Sequence, residues 1–369
     1  MKEILINLQL FAEAGTLVNS LTNGYVNAYE GTKEATTALD GELKTFYDTE
    51  LLENARIEMF YAQFAKKQKL PAKHGNSVEW RKWNTFAKAE KLQEGVIPTG
   101  QKFGMSTKSG SIGQYGTYAT ISDTLELRAY DDTILGATEE MGASAAETQE
   151  TLIRDSLLVN TNEMFCDNIT LATGAVAGTP TDFNQMEASD TVVSLLTPAM
   201  VAKAVTKMKK DRVPTINGKY YAVIHPSVAH DLRNSKEWIE VHKYSATSEI
   251  FNGEIGELHG CRFIENVFAP VLADEDYKNK ALTATYATHF FGKEGFGIID
   301  PEGGALEMIV KDKSQVGGPL NQFSTVGYKF ETGSTILYPE RILCLWSCST
   351  YSAEDAANLD PDYLPVVRS

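Results

Sequence analysis

The groups best able to do chemistry in this 369-residue chain are scattered rather than clustered. Among its six histidines, His225, His230, His242, His259 and His289 include no pair four residues apart, the spacing that brings two imidazoles to one helix face around a zinc ion. None of the four cysteines stands in a Cys-x-x-Cys motif, and His259-Gly260-Cys261, the nearest approach to a ligand cluster, reads as a turn entering a strand. Cys344 and Cys348 are four apart in an extended stretch, which separates them by about 13 Å against a limit of about 7 Å for a disulfide. There is no Gly-x-Ser-x-Gly elbow to expose a nucleophile. Gly292-Lys-Glu-Gly-Phe-Gly297 has neither the spacing of a dinucleotide fingerprint nor the Gly-Lys-Ser/Thr ending of a phosphate loop. Carboxylates abound, but nothing selects a pair at the roughly 5 to 9 Å used in glycoside hydrolysis. The residues indicate no catalytic centre, no metal site and no cofactor.

Charge is segregated instead. From Lys66 to Lys91 eight basic residues face two acidic ones, a local +6 in a chain whose net charge is −15; from Asp123 to Asp167 eleven acidic residues face two basic ones, a local −9. Such opposed blocks steer surfaces together and fix their register, although each exposed pair contributes only about 0 to 1 kcal/mol. The candidate contact residues are Lys73, Arg81, Lys82, Lys88 and Lys91 on one side and Glu139, Glu140, Glu147 and Glu150 on the other. The same blocks are also compatible with plain solvated faces. Trp80, Trp83 and Phe86, interleaved with Arg81, Lys82 and Lys88, have the make-up of a stacking platform for single-stranded nucleic acid, but no further basic groove extends it. The acidic total also opposes a chain devoted to gripping phosphates.

Several elements must position these blocks. Residues 1–40 read as an extended arm, because apolar residues there are too sparse to define a face. Leu43, Phe46, Tyr47, Leu51, Ala55, Met59 and Phe60 recur at helical steps and predict a helix from Asp40 to near Lys66, with Lys66, Lys67 and Lys69 at its C-terminal end. Strands are expected at Val78–Trp83 and Gln114–Ile121, joined by a long glycine-punctuated connection that implies a projecting loop. Asp131 to about Asn160 is the strongest helix. Its stripe Ile134, Ala137, Met141, Ala145, Thr148, Leu152 and Val159 faces inward, while Glu139, Glu140, Glu147, Glu150 and Arg154 fall opposite. The tract Leu171 to Ser189 reads as a boundary. A helix Pro198–Lys210, a strand Tyr220–Ile224 and a helix Pro226 to about Asn234 then form an α/β unit. The remainder is mostly strands: Cys261–Val267, Ala284–Gly292, Gly295–Ile299, Leu306–Lys311, Thr325–Phe330 and Ile336–Trp346.

At 43% apolar and 22% charged residues, the composition is that of a folded globular protein, and the length exceeds the roughly 250 to 300 residues a single core supports. Ile4 to Phe11, the most apolar N-terminal stretch, is interrupted by Asn7 and Gln9, so neither a signal peptide nor a membrane anchor is expected.

The order of these parts resembles the major capsid proteins of tailed bacteriophages, the Hong Kong-97 type fold, and within them the coliphage N-four-like coat protein family. Asn7-Leu-Gln-Leu-Phe-Ala12 is similar to the opening of many phage coat proteins, and Lys44-Thr-Phe-Tyr-Asp48 to the family's first helix. Val78-Glu-Trp-Arg-Lys-Trp-Asn84 with Glu94-Gly-Val-Ile-Pro-Thr-Gly100 resembles its E-loop, and Gln114 to Asp123 the descending strand. Gly256 to Asn266 and Gln322 to Lys329 resemble A-domain and late P-domain strands. The resemblance implies an α+β protein divided into an N-terminal arm and first helix (1–65), an E-loop (66–121), a P-domain with its spine helix (122–189), an A-domain (190–312), returning P-domain strands (313–350) and a tail (351–369).

It further implies a non-enzymatic subunit that assembles with copies of itself into hexamers and pentamers around double-stranded DNA in the virion head. The implied partners are portal and scaffolding proteins and, in heads that carry one, a decoration protein, with non-specific DNA contact, no membrane, and assembly in the host bacterial cytoplasm. The sequence shows no long helical pre-segment, so a separate scaffolding protein is expected. An encapsulin-like compartment shell is the nearest rival reading, an α/β hydrolytic enzyme a remote one. The E-loop of the family reaches across a neighbouring subunit. The basic loop is therefore expected to lie over the acidic ridge of an adjacent chain.

Overall fold

A computed structural model describes residues 59–358 apart from 72, 74, 85, 90, 92–94, 96, 98–99, 130–132, 161, 240–253, 273–283, 305, 317–319, 353–354 and 356–357. Residues 1–58, with the expected arm and most of the helix expected from Asp40, the expected start of the long helix at Asp131 and most of the tail lie outside the described residues. In chain order the strands are β1 (Lys66–Leu70), β2 (Ser77–Trp83), β3 (Met105–Ser111), β4 (Gly113–Ser122), β5 (Glu163–Phe165), β6 (Asn168–Thr170), β7 (Val176–Gly178), β8 (Val192–Ser194), β9 (Tyr220–Ile224), β10 (Glu254–Leu258), β11 (Cys261–Glu265), β12 (Val271–Leu272), β13 (Thr285–Phe291), β14 (Phe296–Pro301), β15 (Glu307–Lys311), β16 (Phe323–Ile336) and β17 (Ile342–Ser347). The helices are α1 (Asp123–Arg128), α2 (Thr133–Leu157), α3 (Pro198–Lys210), α4 (Pro226–Arg233) and α5 (Lys313–Val316).

The chain divides into two compact units, and both α2 and β16 continue from one into the other. The larger unit gathers the described residues of Met59–Gly113, Thr148–Gly303 and Thr332–Ser369. Its main sheet runs β10-β11-β9-β13-β17-β5, with β12 on β13. All seven residues of β13 are buried, so its side chains supply both faces by simple alternation. Tyr286 and Phe290 point into a core with Met200, Val201 and Val205 of α3 and Val228 and Leu232 of α4. Phe291 points to the other side, against Tyr61, Phe64 and Ile153 and Leu157 of α2. Helix α3 starts where the sequence says it should: Thr197 caps it through the Met200 amide, Pro198 fills its first turn, and Lys207, Lys209 and Lys210 complement its C-terminal end.

The smaller unit holds the described residues of Gln114–Glu147 and Gly304–Glu331. Here Ile121 of β4, Leu125 of α1 and Val326 of β16 form a small core over which Ile134, Ala137 and Met141 of α2 lie, as the expected stripe requires. Two glycines let strands approach closely: a Cβ on Gly327 would stand 2.7 Å from Tyr118 Cβ, and one on Gly116 2.5 Å from the Tyr328 carbonyl.

Several expectations are corrected. Lys66, Lys67 and Lys69 do not end a helix: they lie in β1, an edge strand paired in parallel with β14, preceded by a short 3-10 turn at Tyr61–Gln63. The expected partners Val78–Trp83 and Gln114–Ile121 are both strands, but β2 pairs with β3, a strand the sequence did not reveal, and β4 pairs with β16. Leu171–Ser189 is no boundary; it contributes β7 and a 3-10 turn inside the larger unit, where β6 pairs with β7 and β8. The expected strand Ile336–Trp346 is broken by a 3-10 turn at Pro339–Arg341, because proline removes a ladder donor. Among the described residues no helix is long and apolar enough to cross a membrane.

Candidate assembly surfaces

The β2–β3 hairpin pairs in unbroken antiparallel register from Ser77↔Ser111 to Trp83↔Met105, and period-two alternation sorts its side chains. Trp80 turns inward over β14: a Cβ on Gly110 would sit 3.0 Å, and one on Gly297 2.9 Å, from its indole carbons. These glycines are the seat for that ring. Trp83 turns outward and is 60% exposed, and beside it Phe86 and Phe103 are exposed to 54% and 59%. The three rings stack, with Phe103 in the middle: 4.2 Å from Trp83 at 21° and 5.5 Å from Phe86 at 19°. Three large stacked rings, each more than half exposed, at the loop end of the β2–β3 pair form an apolar surface of the kind that docks on a partner.

The basic residues predicted for this element are placed as follows. Lys73 sits at a left-handed turn, φ 68°, and is exposed, as are Arg81, Lys82, Lys88 and Lys91. Arg81 lies 3.9 Å from Glu79 on its own strand. Lys82 is engaged within the chain, 3.5 Å from Glu340 and 4.5 Å above the Tyr338 ring, which Arg341 also covers at 3.8 Å. The sequence reading missed Lys102 and Lys108, which are exposed on the returning side and extend the positive charge, and Phe103, the centre of the stack. The signal was available in the β3 register once the hairpin partner was known.

On α2, Glu139, Glu140 and Glu147 are exposed and fall within about 100° of arc at 100° per residue. Glu150 belongs to the same arc by that arithmetic, yet it is fully buried, and the ridge therefore ends before it. From Thr148 onward the helix belongs to the larger unit, and the chain covers that face. Glu150 Oε1 accepts hydrogen bonds from the Phe60 amide at 2.9 Å, the Tyr61 amide at 3.1 Å and Asn266 Nδ2 at 3.1 Å. Burial raises its carboxyl pKa, opposed by those amides. Arg154, expected on the exposed side, is 1% exposed and donates to Asp155 Oδ1 at 2.5 Å, the Phe268 carbonyl at 2.9 Å and the Asn358 carbonyl at 2.6 Å. Val159, expected inward, is 45% exposed.

Other titratable groups serve the core. His289 is fully buried in β13 with its ring edge-on to Tyr61 at 5.9 Å; burial, reinforced by Arg154, lowers its pKa to about 3, so it is neutral. Cys166, Cys261, Cys344 and Cys348 are free and buried, and burial pushes up the thiols of Cys166, Cys261 and Cys344. His225, Ser227 and Asp355 lie together, but Ser227 Oγ donates to Asp355 at 2.8 Å while His225 Nδ1 accepts the Ser227 amide at 3.2 Å. That geometry caps α4 and ties down residue 355; it gives no base to a nucleophile. Among the described residues no group of three or more His, Cys, Asp or Glu could hold a metal ion.

A family model described as phage capsid protein matches residues 106–329. The fold is similar to that of the cyanophage Pam1 capsid (12% identity, 88% of this chain and 100% of that one, TM-score 0.62). It is also similar to the capsid of Ralstonia phage GP4 (13%, 85% and 97%, 0.60) and to that of Helicobacter pylori bacteriophage KHP30 (11%, 84% and 96%, 0.62). No curated protein sequence matches the chain.

Proposed function

The chain belongs to the phage capsid protein family, and from that premise we propose how it builds the phage head. It is a capsid protein and a structural subunit of the head shell; the proposal concerns its contacts. Copies associate as hexamers and pentamers that close an icosahedral shell around double-stranded DNA, and the exposed Trp83–Phe103–Phe86 stack is the observation that carries this reading. A projecting ribbon tipped with apolar rings and flanked by Lys73, Arg81, Lys88, Lys91, Lys102 and Lys108 suits a neighbouring copy's surface of opposite charge. Glu139, Glu140 and Glu147 of α2 supply it. Lys82, next to Trp83, is held by Glu340 of its own chain and Glu150 belongs to the core, so both are removed from the contact.

In this reading the ribbon and its approach (66–121) act as an E-loop, α2 as the spine helix, and residues 190–312 as an A-domain. The subunit has no catalytic role. Portal and scaffolding proteins complete the head, a decoration protein is compatible with it, and assembly takes place in the host bacterial cytoplasm before the protein resides in the virion. With a net charge of −15, its hold on the packaged duplex is sparse and non-specific.

Sedimentation and electron microscopy of the purified full chain, with and without a scaffolding protein, test this. Closed shells, tubes or rings of five and six are expected, with nuclease-protected DNA in native particles. A monomer or dimer at every concentration overturns it.

A further inference from the structure

We propose that one turn of α2, Glu150 to Arg154, is a coupling node that holds Phe60 and Tyr61 together with a C-terminal strap, Asp355 and Asn358, so that the two are docked or released as one. This concerns the folded chain and stands independently of the assembly reading.

A continuous chain of buried and part-buried hydrogen bonds runs through the larger unit. At one end the Phe60 and Tyr61 amides, where the chain emerges from residues 1–58, donate to Glu150 Oε1. Asn266 Nδ2 donates to the same oxygen at 3.1 Å, and Asn266 Oδ1 in turn accepts the Phe268 amide at 2.9 Å. The Phe268 carbonyl accepts Arg154 Nη1 at 2.9 Å, and Arg154 Nη2 reaches the Asn358 carbonyl at 2.6 Å. Asn358 is itself fixed: its Oδ1 accepts the Val271 amide at 2.8 Å and its Nδ2 donates to the Ala269 carbonyl at 3.0 Å. Three residues earlier Asp355 Oδ2 accepts Ser227 Oγ at 2.8 Å and Tyr286 Oη at 2.5 Å.

Glu150, Arg154, Asp155 and Asn266 are all less than 5% exposed. That burial is what makes the connection energetic. A buried charge that loses its partner cannot turn to water, so it either stays unpaired or pulls on its remaining partners. If the strap leaves, Arg154 loses the Asn358 carbonyl and retains only Phe268 and Asp155. The 266–268 loop then loses its fixed register, and through Asn266 so does the carboxylate that holds residues 60 and 61. The loop thus links two segments almost three hundred residues apart in sequence.

The test is hydrogen exchange on the full-length chain. Asp355→Ala combined with Asn358→Ala removes the strap's side-chain anchors without touching residues 59–64; the amides of Phe60 and Tyr61 should then exchange at least tenfold faster, while β13 keeps its protection. Normal exchange at 60 and 61 beside accelerated exchange at 358 overturns the proposal. A second measurement needs no variant and covers the case in which the double variant does not fold. In the unsubstituted chain under low urea, the amides of Phe60, Tyr61 and Asn358 should share one opening free energy and one urea slope, both smaller than those of β13. Two different slopes, or a slope equal to that of β13, overturn it.

Discussion

Replacing Phe103 by alanine probes the proposed contact at its centre, because this ring stacks on both Trp83 and Phe86. Phe103 is 59% exposed in the isolated chain; taking about 200 Å² for a phenylalanine side chain, docking on a neighbour covers up to about 120 Å². At about 25 cal/mol per Å² this is about 3 kcal/mol per subunit, an upper bound for complete burial. A contact that realises half of it contributes about 1.5 kcal/mol, which is about tenfold in an equilibrium constant. The concentration at which half the chains enter shells should therefore rise between about tenfold and about 150-fold. Sedimentation velocity across a dilution series reads this directly. The folded chain should lose little, since the ring is already in water; a urea melt of the unassembled variant should stay within about 1.5 kcal/mol of the parent, the worth of the lost stacking. A variant that melts normally and assembles at the parent's threshold refutes the assignment of this surface to an interface.

Charge reversal at Arg81 and Lys88 to glutamate should raise the same threshold several-fold at low salt and lose its effect near 1 M salt, where the screening length is about 3 Å; unchanged assembly at low salt would remove Glu139, Glu140 and Glu147 as their partners. His289 gives the larger unit an acid sensitivity. Its folded pKa of about 3 lies below the unfolded value near 6.5, so between these limits the unfolded chain binds the extra proton and stability falls as pH drops, by about 1 kcal/mol per unit. Glu150, whose carboxyl burial raises, acts in the opposite sense above its unfolded pKa, and so the measurement compares His289→Leu with the parent; equal slopes from pH 6.5 to 4 contradict the account. Glu150→Ala leaves the Phe60 and Tyr61 amides and Asn266 Nδ2 without their acceptor, and a loss of about 3 kcal/mol in urea unfolding is expected; a change below about 0.5 kcal/mol would show that these donors find water. Gly327→Ala should destabilise the smaller unit by about 2 kcal/mol through its clash with Tyr118, visible as faster exchange in β4; unaltered exchange would mean that the strands shift to fit.

Where local signals and tertiary context agree, the sequence was readable. Tyr220–Ile224 and Pro198–Lys210 are placed to the residue, because a short run of aromatic and β-branched residues and a Thr-Pro start with lysines at the far end each admit one reading. Strand β3, Met-Ser-Thr-Lys-Ser-Gly-Ser, was invisible: six of its seven residues are exposed, so its pairing with β2, rather than apolar alternation, makes it a strand. Lys66–Leu70 looked like a helix end for the same reason, since its parallel pairing with β14 lies more than two hundred residues away. The acidic ridge was half legible. Periodicity alone puts Glu150 beside Glu139 and Glu147, and nothing local announces that residues 60, 61 and 266 come to cover that turn. The aromatic stack was visible as Trp83 and Phe86, while Phe103 needed the hairpin register to join them.

The most direct test of the central claim is an electron cryo-microscopy reconstruction of particles assembled from this chain. The account predicts a closed shell in which the β2–β3 ribbon of one copy lies on another, with Trp83, Phe86 and Phe103 buried there and Arg81 or Lys88 within about 4 Å of Glu139, Glu140 or Glu147. A closed shell in which the three rings face solvent would contradict the proposed contact, and a chain that forms no shell would contradict the assembly reading itself.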